Sequence, residues 1–95
     1  MANKAHTDLI VNNLERFVLL KQAEMIKEEK QNVPLKRVYE DMAKHCGVTP
    51  QTIAMIKSGL HKPSLPVALK MAEYFNVDVS ELFQFEEKEE GAKQE

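Results

Sequence analysis

Residues 39–58, YEDMAKHCGVTPQTIAMIKS, constrain this chain more than any other stretch. Gly47 stands where a chain leaving a helix needs a positive φ, a conformation that a Cβ penalises. Two residues later Thr49 offers a hydroxyl to the exposed N–H groups of a new helix. Pro50 follows at the first helical position, where its missing N–H is not needed. The stretch therefore reads as two short helices joined by a tight turn. Ala43, four residues before Gly47, keeps bulk out of the helix crossing, while Ile53 and Ile56, three apart, form the inner face of the second helix. Met42 and Val48 close the other side of the same small core.

Around that turn, 95 residues support one domain with a modest core. Aromatic residues make up only 6% and Trp is absent, so the core is expected to be aliphatic and Met-filled. A single cysteine, Cys46, excludes an internal disulfide and a cysteine-based structural zinc site, which fits a reducing cytosol. Neither a signal peptide nor an apolar run of membrane-spanning length is present, so no membrane partner is expected. The net charge of -2 is unevenly spread. Residues 36–70 carry six basic groups (Lys36, Arg37, Lys44, Lys57, Lys62, Lys70) against Glu40 and Asp41, a net of +4; residues 84–95 carry five Glu against two Lys, a net of -3. Local sign governs attraction to a polyanion more than the total does.

Ahead of the turn, Thr7 is a candidate N-cap with Asp8 in the first turn, and nothing breaks a helix from there to about Lys30. At 100° per residue this long first helix shows two apolar stripes: Leu19, Ala23 and Ile26 on one side; Ile10, Leu14, Phe17, Val18 and Met25 nearly opposite. One stripe is more than a small domain needs. The second could be covered by the acidic C-terminal segment folding back through Phe83 and Phe85, by a second copy of the chain, or by another protein. A bend near Asn12-Asn13 would favour the first of these. The next helix lies within residues 31–46, with Pro34 in its first turn and Leu35, Val38, Tyr39, Met42 and Ala43 at helical spacing. Beyond the central pair, Ser64 is expected to cap a helix with apolar face Leu65, Ala68, Leu69, Ala72 and Phe75, ending at Asn76. Ser80 is then the N-cap of a short last helix whose Leu82 and Phe83 plug the core. The final EEKEEGAKQE reads as a solvated tail, with competition for the basic face as the sharper alternative.

The spacing Ala43, Gly47, Ile53, Ile56 resembles the helix-turn-helix of the Cro and lambda-repressor-like (Xre-type) family, and Ser58-Gly59 and residues 62–83 continue the resemblance through a fourth and fifth helix. It covers roughly residues 19–83, with IKEEK (26–30) matching the end of the family's first helix. That alignment places Leu19, Ala23 and Ile26 on the core face. The implied fold is all-α, a five-helix lambda-repressor-like DNA-binding domain with an extended N-terminal helix. Residues 1–18 form the extension and candidate dimer element, 19–83 the domain with its helix-turn-helix at 39–58, and 84–95 an acidic flexible tail. Two departures stand out. The link from IKEEK to Ala43 is about five residues longer than usual, and Tyr39 replaces a Gln that commonly touches a phosphate. In addition, the family's pairing of a basic residue late in the first helix with a Glu late in the recognition helix falls on Lys27 and Lys57. Two lysines cannot pair, so Lys57 should turn outward, with Glu28 or Glu24 as a partner for Lys27.

The resemblance implies that helix 50–58 reads the major groove of double-stranded DNA. Gln51, whose amide matches adenine N6 and N7, leads the candidate base contacts, followed by Thr52, Met55, Ala54 and Pro50. Thr49, Lys57, Ser58, His61, Lys62, Lys36 and Arg37 are candidate phosphate contacts. No basic residue lies between Thr49 and Ile56, so the commonest guanine contact is absent and an A·T-leaning inverted repeat is expected. The candidate homodimer interface is Ile10, Leu14, Phe17, Val18 and Met25. His45-Cys46 is adjacent rather than spaced for chelation, and neither a Ser-His-Asp set nor a glycine-rich phosphate loop is present, so no metal, no cofactor and no enzyme activity are expected. Cys46 reads as a packing residue. The expected function is sequence-specific transcriptional regulation by repression in a cytoplasmic, bacterial or phage-type setting, nucleoid-associated when bound. The alternative is a protein-interaction module, an antitoxin or anti-regulator working through the apolar stripe of the first helix.

Overall fold

The computed structural model describes the chain over residues 6–88, with side chains over residues 11–84. Five helices follow in order: α1 Leu14–Glu29, α2 Leu35–Cys46, α3 Pro50–Lys57, α4 Leu65–Phe75 and α5 Val79–Leu82. Two strands flank them, β1 His6–Asn12 and β2 Phe83–Lys88. The family-like five-helix plan is thus present, and a terminal ribbon is added to it.

The ribbon corrects the reading of the N-terminus. β1 and β2 pair antiparallel from His6↔Lys88 to Asn12↔Phe83, with an irregularity between Leu9 and Val11. Residues 6–12 are therefore a strand rather than the extension of α1, and residues 84–88 of the predicted tail belong to the strand that starts at Phe83. Their pairing joins positions more than seventy residues apart, and the β-branched Ile10 and Val11 suit an extended backbone. The proposed cap at Thr7 falls inside β1. The remainder of the predicted tail, residues 89–95, lies outside the described residues, as do the side chains of Ile10 and Phe85.

α1 turns its expected faces around. Leu14 and Val18 are buried within the chain's own core and Met25 lies at its edge, while Phe17 packs on Phe75 with ring centroids 5.6 Å apart. The stripe expected to face inward is outside: Leu19 is 46% and Ile26 36% exposed, and Ala23 is exposed with them. Leu14, Val18 and Met25 are consequently closed to the dimer interface assigned to them, and Phe17 is half-buried. Leu14 follows directly on the ribbon's root, so the root fixes which side of α1 meets α2 and α3.

The long α1–α2 link is held at three points. Val33 is completely buried; Gln22 Nε2 donates to the Val33 carbonyl at 2.7 Å; and Arg37 clamps Glu29 through two parallel bonds of 2.9 and 2.6 Å. Extra length here is therefore structured. Of the two candidate partners for Lys27, Glu28 and Glu24, the second pairs with Lys21 at 3.4 Å.

Caps set the remaining boundaries. Ser64 accepts from Val67 N at 3.3 Å and Asn76 closes α4 in the left-handed region at φ 58°. On α4, Ala68, Met71 and Ala72 are buried, whereas Leu65 and Leu69, expected inward, are 67% and 50% exposed. Asp78, not Ser80, caps α5: Glu81 returns a bond to the Asp78 N–H at 3.3 Å, completing a reciprocal capping box. Leu82 and Phe83 then close the core as predicted from their apolar character.

Candidate nucleic-acid interface

Three local decisions place α3. α2 ends at Gly47, whose φ of 73° is left-handed and whose N–H donates to the Ala43 carbonyl at 2.8 Å. A Cβ at Gly47 would meet nothing within 4 Å, so backbone conformation rather than space requires glycine there. The Val48 N–H reaches the same Ala43 carbonyl at 3.1 Å, completing the turn. Thr49 then opens α3 by accepting from Thr52 N at 3.1 Å, with Pro50 behind it at the first position. Met42, Ala43, Ile53 and Ile56 are buried and Val48 packs against them, while Gly47 at the turn is exposed.

With Ile53 and Ile56 inward, α3 presents Gln51, Ala54, Met55 and Ser58 on the opposite face. Gln51 and Pro50 are exposed at the N-terminal end; Thr52, Ala54 and Met55 are half-buried. The Gln51 carboxamide holds no hydrogen bond among the described residues, leaving its donor and acceptor pair open. Thr52 is more committed: its hydroxyl lies 3.0 Å from that of Thr49, which belongs to the cap.

The residues assigned to phosphates differ in exposure. Lys36, His61 and Lys62 are exposed and Lys57 half-buried. Ser58 directs its hydroxyl to the Met55 carbonyl at 3.1 Å, so its single donor is used within its own helix. Arg37 is engaged with Glu29, and that contact holds the Glu29 carboxyl below its ordinary value, chiefly by hydrogen bonding. Arg37 must break a bidentate pair before it can reach a phosphate. Tyr39, one turn into α2, packs partly against the core.

Behind the interface, α2 and α4 are tied together. The Tyr74 hydroxyl donates to Asp41 Oδ2 at 2.7 Å, and burial, then this bond, pushes the phenol's pKa up. His45 Nε2 lies 3.2 Å from Glu73. Cys46 is buried nearby, and burial raises its thiol pKa, which suits a packing residue.

Asn12, read from the sequence only as a bend, also belongs to this region. At the end of β1, it donates from Nδ2 to the Ile56 carbonyl at 2.8 Å, at the exit of α3. No local pattern marks this contact with α3, since its partner lies 44 residues away. Leu60 also went unmarked; it is 77% exposed beside His61 and Lys62.

A helix-turn-helix family model matches residues 29–82, more than half of the chain. The chain belongs to the Cro-like helix-turn-helix family. That family comprises DNA-binding transcriptional regulators, and the matched span runs from the end of α1 through α5. An uncharacterized HTH-type transcriptional regulator of Methanocaldococcus jannaschii is 44% identical over 50 residues, covering 53% of this chain and 76% of that protein. Two uncharacterized HTH-type transcriptional regulators of Archaeoglobus fulgidus are each 40% identical over 50 residues, covering 53% of this chain and 70% and 71% of theirs. The terminal ribbon lies outside the family span. Among the described residues no helix is long and apolar enough to cross a membrane.

Proposed function

We propose that this helix-turn-helix regulator is a repressor that occludes a promoter by inserting α3 into the major groove. The observation that carries the reading is the unpartnered, exposed carboxamide of Gln51 on the first turn of a helix whose opposite face is locked by Ile53 and Ile56. Gln51 then pairs with adenine, Met55 and Ala54 pack against thymine methyls, and Thr49, His61, Lys57 and Lys62 hold phosphates. With no Arg or Lys on the reading turns, the half-site leans toward A·T.

A two-fold homodimer reading half-sites about 34 Å apart fits this class of reader. The surface supporting it is the outer face of α1, where Leu19, Leu20, Ala23 and Ile26 are exposed together. The same stripe favours a second reading, in which α1 docks another protein and the helix-turn-helix acts as scaffold. Salt separates the two. Binding of labelled duplex DNA should weaken steeply between low and physiological ionic strength if phosphates are neutralised, whereas an apolar helix contact should barely change. Selection from random duplexes at both salt concentrations should enrich an inverted repeat; enrichment of nothing, even at low salt, contradicts repression by operator binding.

A further inference from the structure

The carboxamide of Asn12 is divided between two elements. Its Oδ1 accepts from Leu14 N at 3.0 Å, turning the chain from β1 into α1, and its Nδ2 donates 2.8 Å to the Ile56 carbonyl in the last turn of α3. Asn13 extends the junction: its N–H reaches the Leu82 carbonyl and its Nδ2 the Glu81 carbonyl, both at 2.9 Å. The start of α1, the exit of α3 and the end of α5 therefore meet at two adjacent side chains.

We propose that Asn12 is a positioning residue for base reading, setting the pose of α3 through its C-terminal end. This rests on the reading that α3 enters the groove. α3 has only eight residues, too few to hold its own geometry, so its pose is set by what it packs on. Ile53 and Ile56 fix which face is buried, but apolar contact is non-directional and tolerates a small roll or tilt. A hydrogen bond is directional. The Ile56 carbonyl is held from two sides, by Gly59 N–H at 3.1 Å within its own turn and by Asn12 from a different element. Only the second ties α3 to the body of the domain. A bidentate base contact tolerates about half an ångström of misplacement, while attraction to phosphates tolerates far more. Loosening the latch therefore removes discrimination before it removes attraction.

Two variants test this. Asn12→Asp keeps the acceptor for Leu14 N and loses the donor to Ile56; Asn12→Ser does the same without adding charge, its hydroxyl being too short to reach α3. Each is measured below its thermal transition, with folding checked by circular dichroism, for affinity toward the duplex selected by the wild type and toward a scrambled duplex. The expected result is that the ratio of the two affinities falls about tenfold, the scale of one lost base contact. The fall comes from the selected duplex alone, with the scrambled affinity and its salt slope unchanged. An unchanged ratio, or a parallel loss on both duplexes, overturns the proposal. Gln51→Ala separates the two levels. If the wild type selects no sequence, the groove-reading assignment fails and this inference with it; if Gln51→Ala loses discrimination while Asn12→Ser keeps it, only the latch is wrong.

Discussion

Leu14 is completely buried and Leu19, five residues further along α1, is 46% exposed, so the helix has one core face and an apolar stripe roughly opposite to it. Truncation at the two positions should separate cleanly. Leu14→Ala removes atoms from the packed junction of α1 with the ribbon root and should cost about 2–5 kcal/mol in urea unfolding. Leu19→Ala should stay within about 0.5 kcal/mol. Comparable losses at both sites would place α1 in a different rotation.

Among the described residues three helix ends close in the left-handed region, and two of them do so with contrasting residue types: Gly47 at φ 73° after α2 and Lys30 at φ 56° after α1. Gly47→Ala puts a Cβ where that conformation is penalised and should destabilise by about 1–2 kcal/mol, although the surrounding space is open. Lys30→Gly relieves the same penalty and should stabilise by up to about 1 kcal/mol, part of it offset by the greater freedom of glycine in the unfolded chain. Opposite signs in denaturant midpoints check the pair.

The Glu29–Arg37 clamp gives a pH dependence of known sign. Arg37 lowers the Glu29 carboxyl below its ordinary 4.5, by hydrogen bonding first and by charge second. A depressed carboxylate contributes stability that is fully present above the unfolded value and is lost as pH falls through the folded one. Glu29→Gln should therefore melt below the wild type at neutral pH, and the gap should close as the solution is acidified past 4.5. A gap that is constant down to strongly acidic pH would assign the effect to something other than this pair.

If the outer face of α1 joins two copies, Leu19→Glu combined with Leu20→Glu should convert a dimer into a folded monomer in sedimentation experiments. Both side chains are about half exposed in the single chain, so the substitutions leave the core intact. A wild type that sediments as a monomer at the concentrations where it binds DNA removes the dimer.

The helix-turn-helix was legible because its signals are local: Gly47, Thr49 and Pro50 each fix a backbone boundary within a few residues of themselves. The ribbon was not, because β1 carries no strand signature strong enough to outweigh the helix-compatible spacing of Ile10 and Leu14, and its partner lies at the other end of the chain. The rotation of α1 was undecidable from its own residues, since Leu14, Val18 and Met25 compete with Leu19, Ala23 and Ile26 as near-equal stripes. Aligning the helix end with the family pattern chose the wrong one. At α5 the information was present: Asp78 is followed three positions later by Glu81, and that reciprocal box outranks Ser80. Of the candidate site, exposure at Gln51 followed from helical phase, whereas the ties of Arg37 and Ser58 to other groups required the folded chain.

The most direct test of base reading by α3 is selection of random duplexes by the wild type and by Gln51→Ala, with the affinity of each measured on every single-base variant of the enriched site. Truncating Gln51 should cost about 1–3 kcal/mol on the selected sequence and relax one A·T position, leaving the others and the salt slope as they were. A uniform loss across all positions, or a consensus held by invariant G·C pairs, would contradict it.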